Sequence, residues 1–132
     1  MCLFCELPLS DRKRIVAENE LAYVIRDGFE VTQGHSLIIP KRHVIDYFGL
    51  IPSEANAINS LMAEQKKLLQ EQDLTIAGFN IGMNCGETAG QTIFHCHVHL
   101  IPRRKGDVDN PRGGVRHIIP GKGFYTEKIN SE

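Results

Sequence analysis

The tightest constraint on this chain is the run His95-Cys96-His97-Val98-His99-Leu100-Ile101. Histidine recurs at every second position, with Cys96, Val98 and Leu100 between and after. Side chains on a strand alternate faces with period two, so a strand here puts three imidazoles on one face and apolar residues on the other. A structural strand whose histidines are satisfied by hydrogen bonds is the plain alternative. Three imidazoles on one face, however, each need a partner for at least one nitrogen, and that points to a site.

At 132 residues the chain can bury the core of one domain without disulfides. Its formal charge of -1 argues against nucleic acid as main partner, because a phosphate backbone calls for a basic surface. No apolar run approaches a membrane span, and the first residues lack a signal-peptide pattern. No membrane partner is therefore expected, and the expected location is cytoplasmic. Cys2, Cys5, Cys85 and Cys96 are then read as reduced thiols or metal ligands.

Strands are expected at residues 14–17, 21–25, 36–39, 75–83 and 93–101, the last carrying the histidines and ending at Pro102. Residues 2–14 read as irregular, 43–50 as a short helix or turn, and 117–120 as a short strand in a polar, glycine-rich tail. One long helix is expected from Ser53, as cap, to about Gln72, with Glu54 near its positive end. Ala55, Ile58, Leu61, Met62, Leu68 and Leu69 form its apolar face. The fold expected is α+β: a mainly antiparallel five-stranded sheet with one long helix. A single domain spans residues 1–132, with 105–132 as a C-terminal extension.

Two chemistries suit the histidines. A His-x-His pair can ligate zinc, but three same-face histidines span too far to converge easily on one ion. A neutral imidazole, by contrast, can attack phosphorus and form a covalent intermediate, while its neighbours handle charge. The preceding loop supplies phosphate donors: the amides of Asn84 and Gln91, the Thr92 hydroxyl, and backbone N–H groups near Gly86 and Gly90. Cys2-x-x-Cys5 is half of a zinc site at a suitable spacing, with a pair of free thiols as the rival reading.

At these residues the chain resembles the histidine triad hydrolase family, whose signature is His-φ-His-φ-His-φ-φ with φ apolar; Cys96 is a mild departure. Ala89-Gly90-Gln91-Thr92, Pro102-Arg103-Arg104 and the segment from Gly34-His35 to Pro40-Lys41-Arg42-His43 also look like family segments. The likeness extends roughly from Cys2 to Arg104. It implies a HIT-like fold and hydrolysis of dinucleoside polyphosphates or nucleoside phosphoramidates to a nucleoside monophosphate. His97 would be the nucleophile, His99 would contact the α-phosphate and assist the leaving group, and His35 would stand close to the triad. Asn84 and Thr92 match phosphate and leaving-group positions, and Asp27 a ribose-binding position. Phe4, Leu21, Val24, Ile25 and Leu37 are candidates for the nucleobase pocket.

The resemblance further implies a structural zinc on Cys2, Cys5, His43 and His95, no organic cofactor, a purine nucleotide substrate and a homodimer. Arg103, Arg104, Lys105, Arg112 or Arg116 is a candidate contact for distal phosphates. The rival function is a nucleotide-binding regulatory protein with weak or vestigial activity. A transferase or phosphorylase is the third reading; related transferases carry glutamine at the last triad position, so His99 favours hydrolysis.

Overall fold

The computed structural model describes residues 2–124. Five strands form one sheet in the order β1-β2-β3-β5-β4: β1 Ile15–Glu18, β2 Ala22–Arg26, β3 Ser36–Pro40, β4 Ile76–Gly82 and β5 Val98–Arg104. Every neighbouring pair is antiparallel. Two α-helices, α1 Leu3–Ser10 and α2 Pro52–Gln72, lie against it. The α+β architecture expected from the sequence is the one found.

The strands β2 and β3 are buried on both faces. Alternation sends Ala22, Val24, Ile38 and Val98 toward Ile58 and Leu61 of α2. It sends Tyr23, Ile25, Leu37 and Ile39 toward Phe4 and Leu7 of α1. These are the period-two and period-3.6 patterns interlocking. The helix α1 shields only the β1–β3 half of its face, and the β5–β4 half beyond it carries the site described below.

Five expectations need correction. Residues 3–10 are helical despite Pro8. A proline at this position cannot donate to the carbonyl of Phe4, and the Tyr23 hydroxyl donates to that carbonyl instead. The Cys2 thiol caps the same helix by accepting from the Cys5 N–H. Ser53 is not the cap of α2: Ile51 is, Pro52 takes the first helical position, and the Glu54 carboxylate folds back on the Ile51 N–H at 3.0 Å. Arg42 pairs with that carboxylate. Leu68 is exposed, and the inward position between Leu61 and Leu69 is taken by Gln65, which accepts from Arg26 at 2.7 Å.

The strand β5 starts at Val98 and runs through Pro102 to Arg104. Pairing with β3 stops at Ser36↔Leu100, so beyond Leu100 the strand has one neighbour and tolerates a residue without an N–H. Residues 114–118 form a 3₁₀ turn in place of the strand expected at 117–120. Of the C-terminal extension, residues 125–132 lie outside the described residues.

Gly34 introduces the histidine of the β2–β3 loop. Its φ is +94°, and an added Cβ would stand 3.2 Å from Leu69 Cδ2 and 3.3 Å from Pro102 Cγ. Gly34→Ala should therefore destabilise the fold by at least about 1–2 kcal/mol, the usual cost of left-handed backbone for an L-residue. Urea denaturation reads this directly, and an unchanged midpoint would contradict the close packing at Gly34.

Candidate active site and metal centre

The three histidines of the run do not share one strand. His99 lies on β5, between Leu37 of β3 and Gly82 of β4. His95 and His97 precede the strand, in irregular chain whose backbone is anchored by the Cys96 N–H on the Val44 carbonyl at 2.7 Å. Their surroundings differ accordingly.

His95 is fully buried. Its Nε2 donates to the Pro40 carbonyl at 2.7 Å, so the neutral ring presents a bare Nδ1. That nitrogen faces Cys2 Sγ at 3.3 Å and Cys5 Sγ at 3.5 Å, and Cys5 Sγ is 3.3 Å from His43 Nδ1. The four ligand atoms lie within 4.8 Å of one another. Ligands on a tetrahedral zinc stand about 3.3–3.8 Å apart, from Zn–N of about 2.0 Å and Zn–S of about 2.3 Å. Two thiols, two imidazoles and a carbonyl that orients one ring are a donor set that fits zinc. The structure brings together all four residues named as metal ligands from the sequence.

His97 is half-buried beside this cluster. Its Nδ1 donates to the His95 carbonyl at 2.7 Å; a carbonyl only accepts, so the lone pair of the neutral ring is on Nε2. The Phe4 ring packs edge-on against it, centroids 5.1 Å apart, and against His95 at 6.0 Å. His99 lies on its other side at 5.5 Å. His99 Nδ1 is 2.9 Å from His35 Nε2, and Asp27 Oδ2 is 3.4 Å from the same His35 nitrogen. Burial pulls the pKa of His35 down, opposed by Asp27 and Glu30. Burial and the neighbouring His97 and His35 do the same to His99. Burial thus favours uncharged rings at His35 and His99, next to the His97 ring anchored through Nδ1 on the His95 carbonyl.

The remaining expected residues are placed unequally. Asp27 faces His35 through Oδ2, while its Oδ1 accepts from the Phe29 N–H at 2.8 Å. Each oxygen keeps a further lone pair for a hydroxyl. Asn84 is exposed and lines a groove of about 1350 Å³ together with His99, Thr88, Ile81 and Ile101. Gln91 is buried, and its amide holds the loop: Oε1 accepts from Gly86 N, and Nε2 donates to the carbonyls of Ile45 and Ile93. It therefore shapes the loop instead of facing the groove. Thr92 is exposed and is not among the groove residues. Arg103 is clasped by Asp107 and Asn80, and Arg104 by Asp73, so both guanidiniums brace β5. Arg112 lies on the surface.

Phe4, Val24, Ile25 and Leu37, expected as nucleobase contacts, are core residues. Burial pushes the Cys96 thiol up to about 11, as suits an inert core thiol. Sequence reasoning missed the Val31 main chain, whose N–H donates to His35 Nδ1 at 3.1 Å. No side-chain pattern announces a backbone donor. Among the described residues no helix is long and apolar enough to cross a membrane.

Residues 10–106 match the HIT domain. A HIT-like protein of Mycoplasma pneumoniae is 39% identical over 103 residues, covering 77% of this chain and 71% of its own length. The adenylylsulfatase HINT3 of Arabidopsis thaliana is 31% identical over 110 residues, 80% of this chain and 54% of that protein. Among solved structures, a zinc-bound histidine triad family protein from Mycobacterium smegmatis superposes with a TM-score of 0.73 at 34% identity, covering 80% of this chain and 77% of its own.

The lowered pKa values of His35 and His99 carry a stability prediction. The unfolded chain, with histidines near the ordinary value of about 6.5, binds more protons than the fold just below that pH. Stability therefore rises with pH across this window: it is fully present above the unfolded value and is lost as pH falls toward the folded values. The urea midpoint should drop from about pH 7 to about pH 5, and drop less in His99→Asn. Equal pH slopes for the two proteins would contradict a buried, neutral His99.

Proposed function

The chain belongs to the HIT, or histidine triad, family, and on that premise we propose that it hydrolyses nucleoside 5'-phosphate derivatives. The substrates are nucleotides joined at the α-phosphate to a leaving group, as in dinucleoside polyphosphates and nucleoside phosphoramidates, with a purine base. The observation that carries this reading is the His97 ring. Its Nδ1–H is anchored on the His95 carbonyl, and its Nε2 lone pair is left for phosphorus. In the first step Nε2 of His97 bonds to the α-phosphorus, and the leaving group departs with the electron pair of its own bond. In the second, water attacks the same phosphorus, the P–N bond breaks, and the nucleoside monophosphate leaves. Two in-line displacements retain configuration.

In this proposal His99 would donate to the α-phosphate or the leaving group, His35 and Asp27 would orient His99, and Asn84 would bind phosphate from the groove wall. Asp27 can also take a ribose hydroxyl. Adenylylsulfate cleavage by the Arabidopsis thaliana relative is one member of the same reaction class. A homodimer belongs to this proposal, with β4 as an open sheet edge that a second copy can extend. Cys2, Cys5, His43 and His95 would hold a structural zinc, supported by the donor geometry and by the zinc-bound neighbour. A closed four-ligand zinc would pin α1 to the segment carrying His97, with no open position for chemistry.

His97→Ala should lower kcat by about 10⁴-fold or more while leaving nucleotide binding near that of the wild type. Steady-state kinetics with an equilibrium binding measurement tests this, and near-normal turnover in the variant would sink the mechanism. Elemental analysis of protein purified without added metal should find about one zinc per chain, with the metal lost in Cys2→Ser. Zinc well below half an equivalent, or retained unchanged in the variant, counts against the metal site.

A further inference from the structure

We propose that the Val31 N–H fixes the tautomer of His35 and, through it, of His99, so that His99 meets the substrate as an uncharged Nε2–H donor and the site favours leaving groups that depart as anions over amines. This rests on the hydrolase reading and narrows its substrate class.

The chain of donors has one direction. Val31 N–H donates to His35 Nδ1 at 3.1 Å. A ring nitrogen that accepts carries no proton, so neutral His35 holds its proton on Nε2. That nitrogen is 2.9 Å from His99 Nδ1, which must therefore accept. The proton of neutral His99 is then on Nε2. Burial disfavours a second proton on either ring.

A metal is the rival occupant, since Asp27, His35 and His99 place ligand atoms within 4.8 Å of one another. The Val31 bond argues against it. A metal on His35 Nε2 needs the lone pair there, which moves the ring proton to Nδ1. Nδ1–H would then face the Val31 N–H, donor against donor.

The fixed tautomer limits what His99 can supply. When the bond between phosphorus and the leaving group breaks, the electron pair stays with the leaving group. A phosphate chain or sulfate departs as a stable anion and needs only the hydrogen bond from Nε2–H. An amine must gain a proton as it departs. His99 could give its Nε2 proton only by becoming an imidazolate, or by taking the His35 proton and leaving His35 an imidazolate. Val31 has no proton to pass on. The proton for an amine must come from water, without the about 10²–10⁴-fold help of a positioned general acid.

Nitrogen-15 NMR of the histidine rings in the full zinc-loaded chain reads the tautomers directly. His35 and His99 should both be neutral and Nε2–H at neutral pH; Nδ1–H on either overturns the proposal. Val31 has an exposed side chain, so Val31→Pro acts through the lost N–H and should let His35 populate both tautomers. Val31→Ala keeps the N–H and should keep the single tautomer. An unchanged tautomer in a folded Val31→Pro variant overturns the role of Val31. In parallel, kcat/KM for diadenosine tetraphosphate and adenosine 5'-phosphosulfate should exceed that for adenosine 5'-phosphoramidate by about tenfold or more. Equal or faster cleavage of the phosphoramidate overturns the leaving-group preference. Failure to cleave all three overturns the hydrolase reading and the preference with it, while the NMR result still decides the tautomers.

Discussion

One buried imidazole holds this molecule's working parts in register. His95 donates from Nε2 to the carbonyl at the end of β3, turns Nδ1 toward the thiols at the head of α1, and offers its own carbonyl to His97. The two ring contacts together select one uncharged tautomer, and the third is made by the main chain. A second proton would turn Nδ1 into a donor aimed at the sulfur pair. Burial, the largest influence on this ring, works against that proton. The sheet, the N-terminal helix and the His97 ring are thereby linked through a single residue with no exposure to water. Phe4 extends the link by packing on both rings.

From that anchor the chemistry of the other histidines follows by bookkeeping of protons. The His95 carbonyl takes the Nδ1 proton of His97 and frees its Nε2. His35 offers its own Nε2 proton to His99. The rings of His35 and His99, held uncharged by burial, keep that hydrogen bond strong and directional. The cationic side chains nearest the groove contribute less than their number suggests. Arg103 and Arg104 are held by carboxylates of the chain itself, so they stiffen β5 and are not loose charges awaiting phosphate.

Much of this was legible in the sequence. Apolar runs and alternation located β1 to β4 within a residue at each end, β5, expected from residue 93, begins at Val98, and the 3.6-residue period located α2 through Gln72. The ligand set Cys2, Cys5, His43 and His95 and the cluster of His35 with His97 and His99 came from spacing and family resemblance together. What escaped has physical reasons. Pro8 hides α1 because its missing hydrogen bond is replaced by Tyr23, distant in sequence. Glu54 caps α2 through Ile51, a residue with no capping side chain, so Ser53 drew the prediction. Gln91 looks like a phosphate donor until the carbonyls of Ile45 and Ile93 are seen to occupy it. The period-two histidines suggested one strand face, yet β5 begins only at Val98, and the departure from the strand is what lets His95 turn into the core.

The central claim is that Nε2 of His97 becomes bonded to phosphorus. Its most direct test is to mix the enzyme with a substrate labelled in the α-phosphate, quench in base within the first turnover, and map the label by peptide mass spectrometry. Nucleotidyl-histidine is a phosphoramidate, stable to base and labile to acid. The expected result is one acid-labile nucleotidyl group on His97, formed before steady state and discharged by water on chase. Label on another residue, or no labelled protein during rapid turnover, would contradict it.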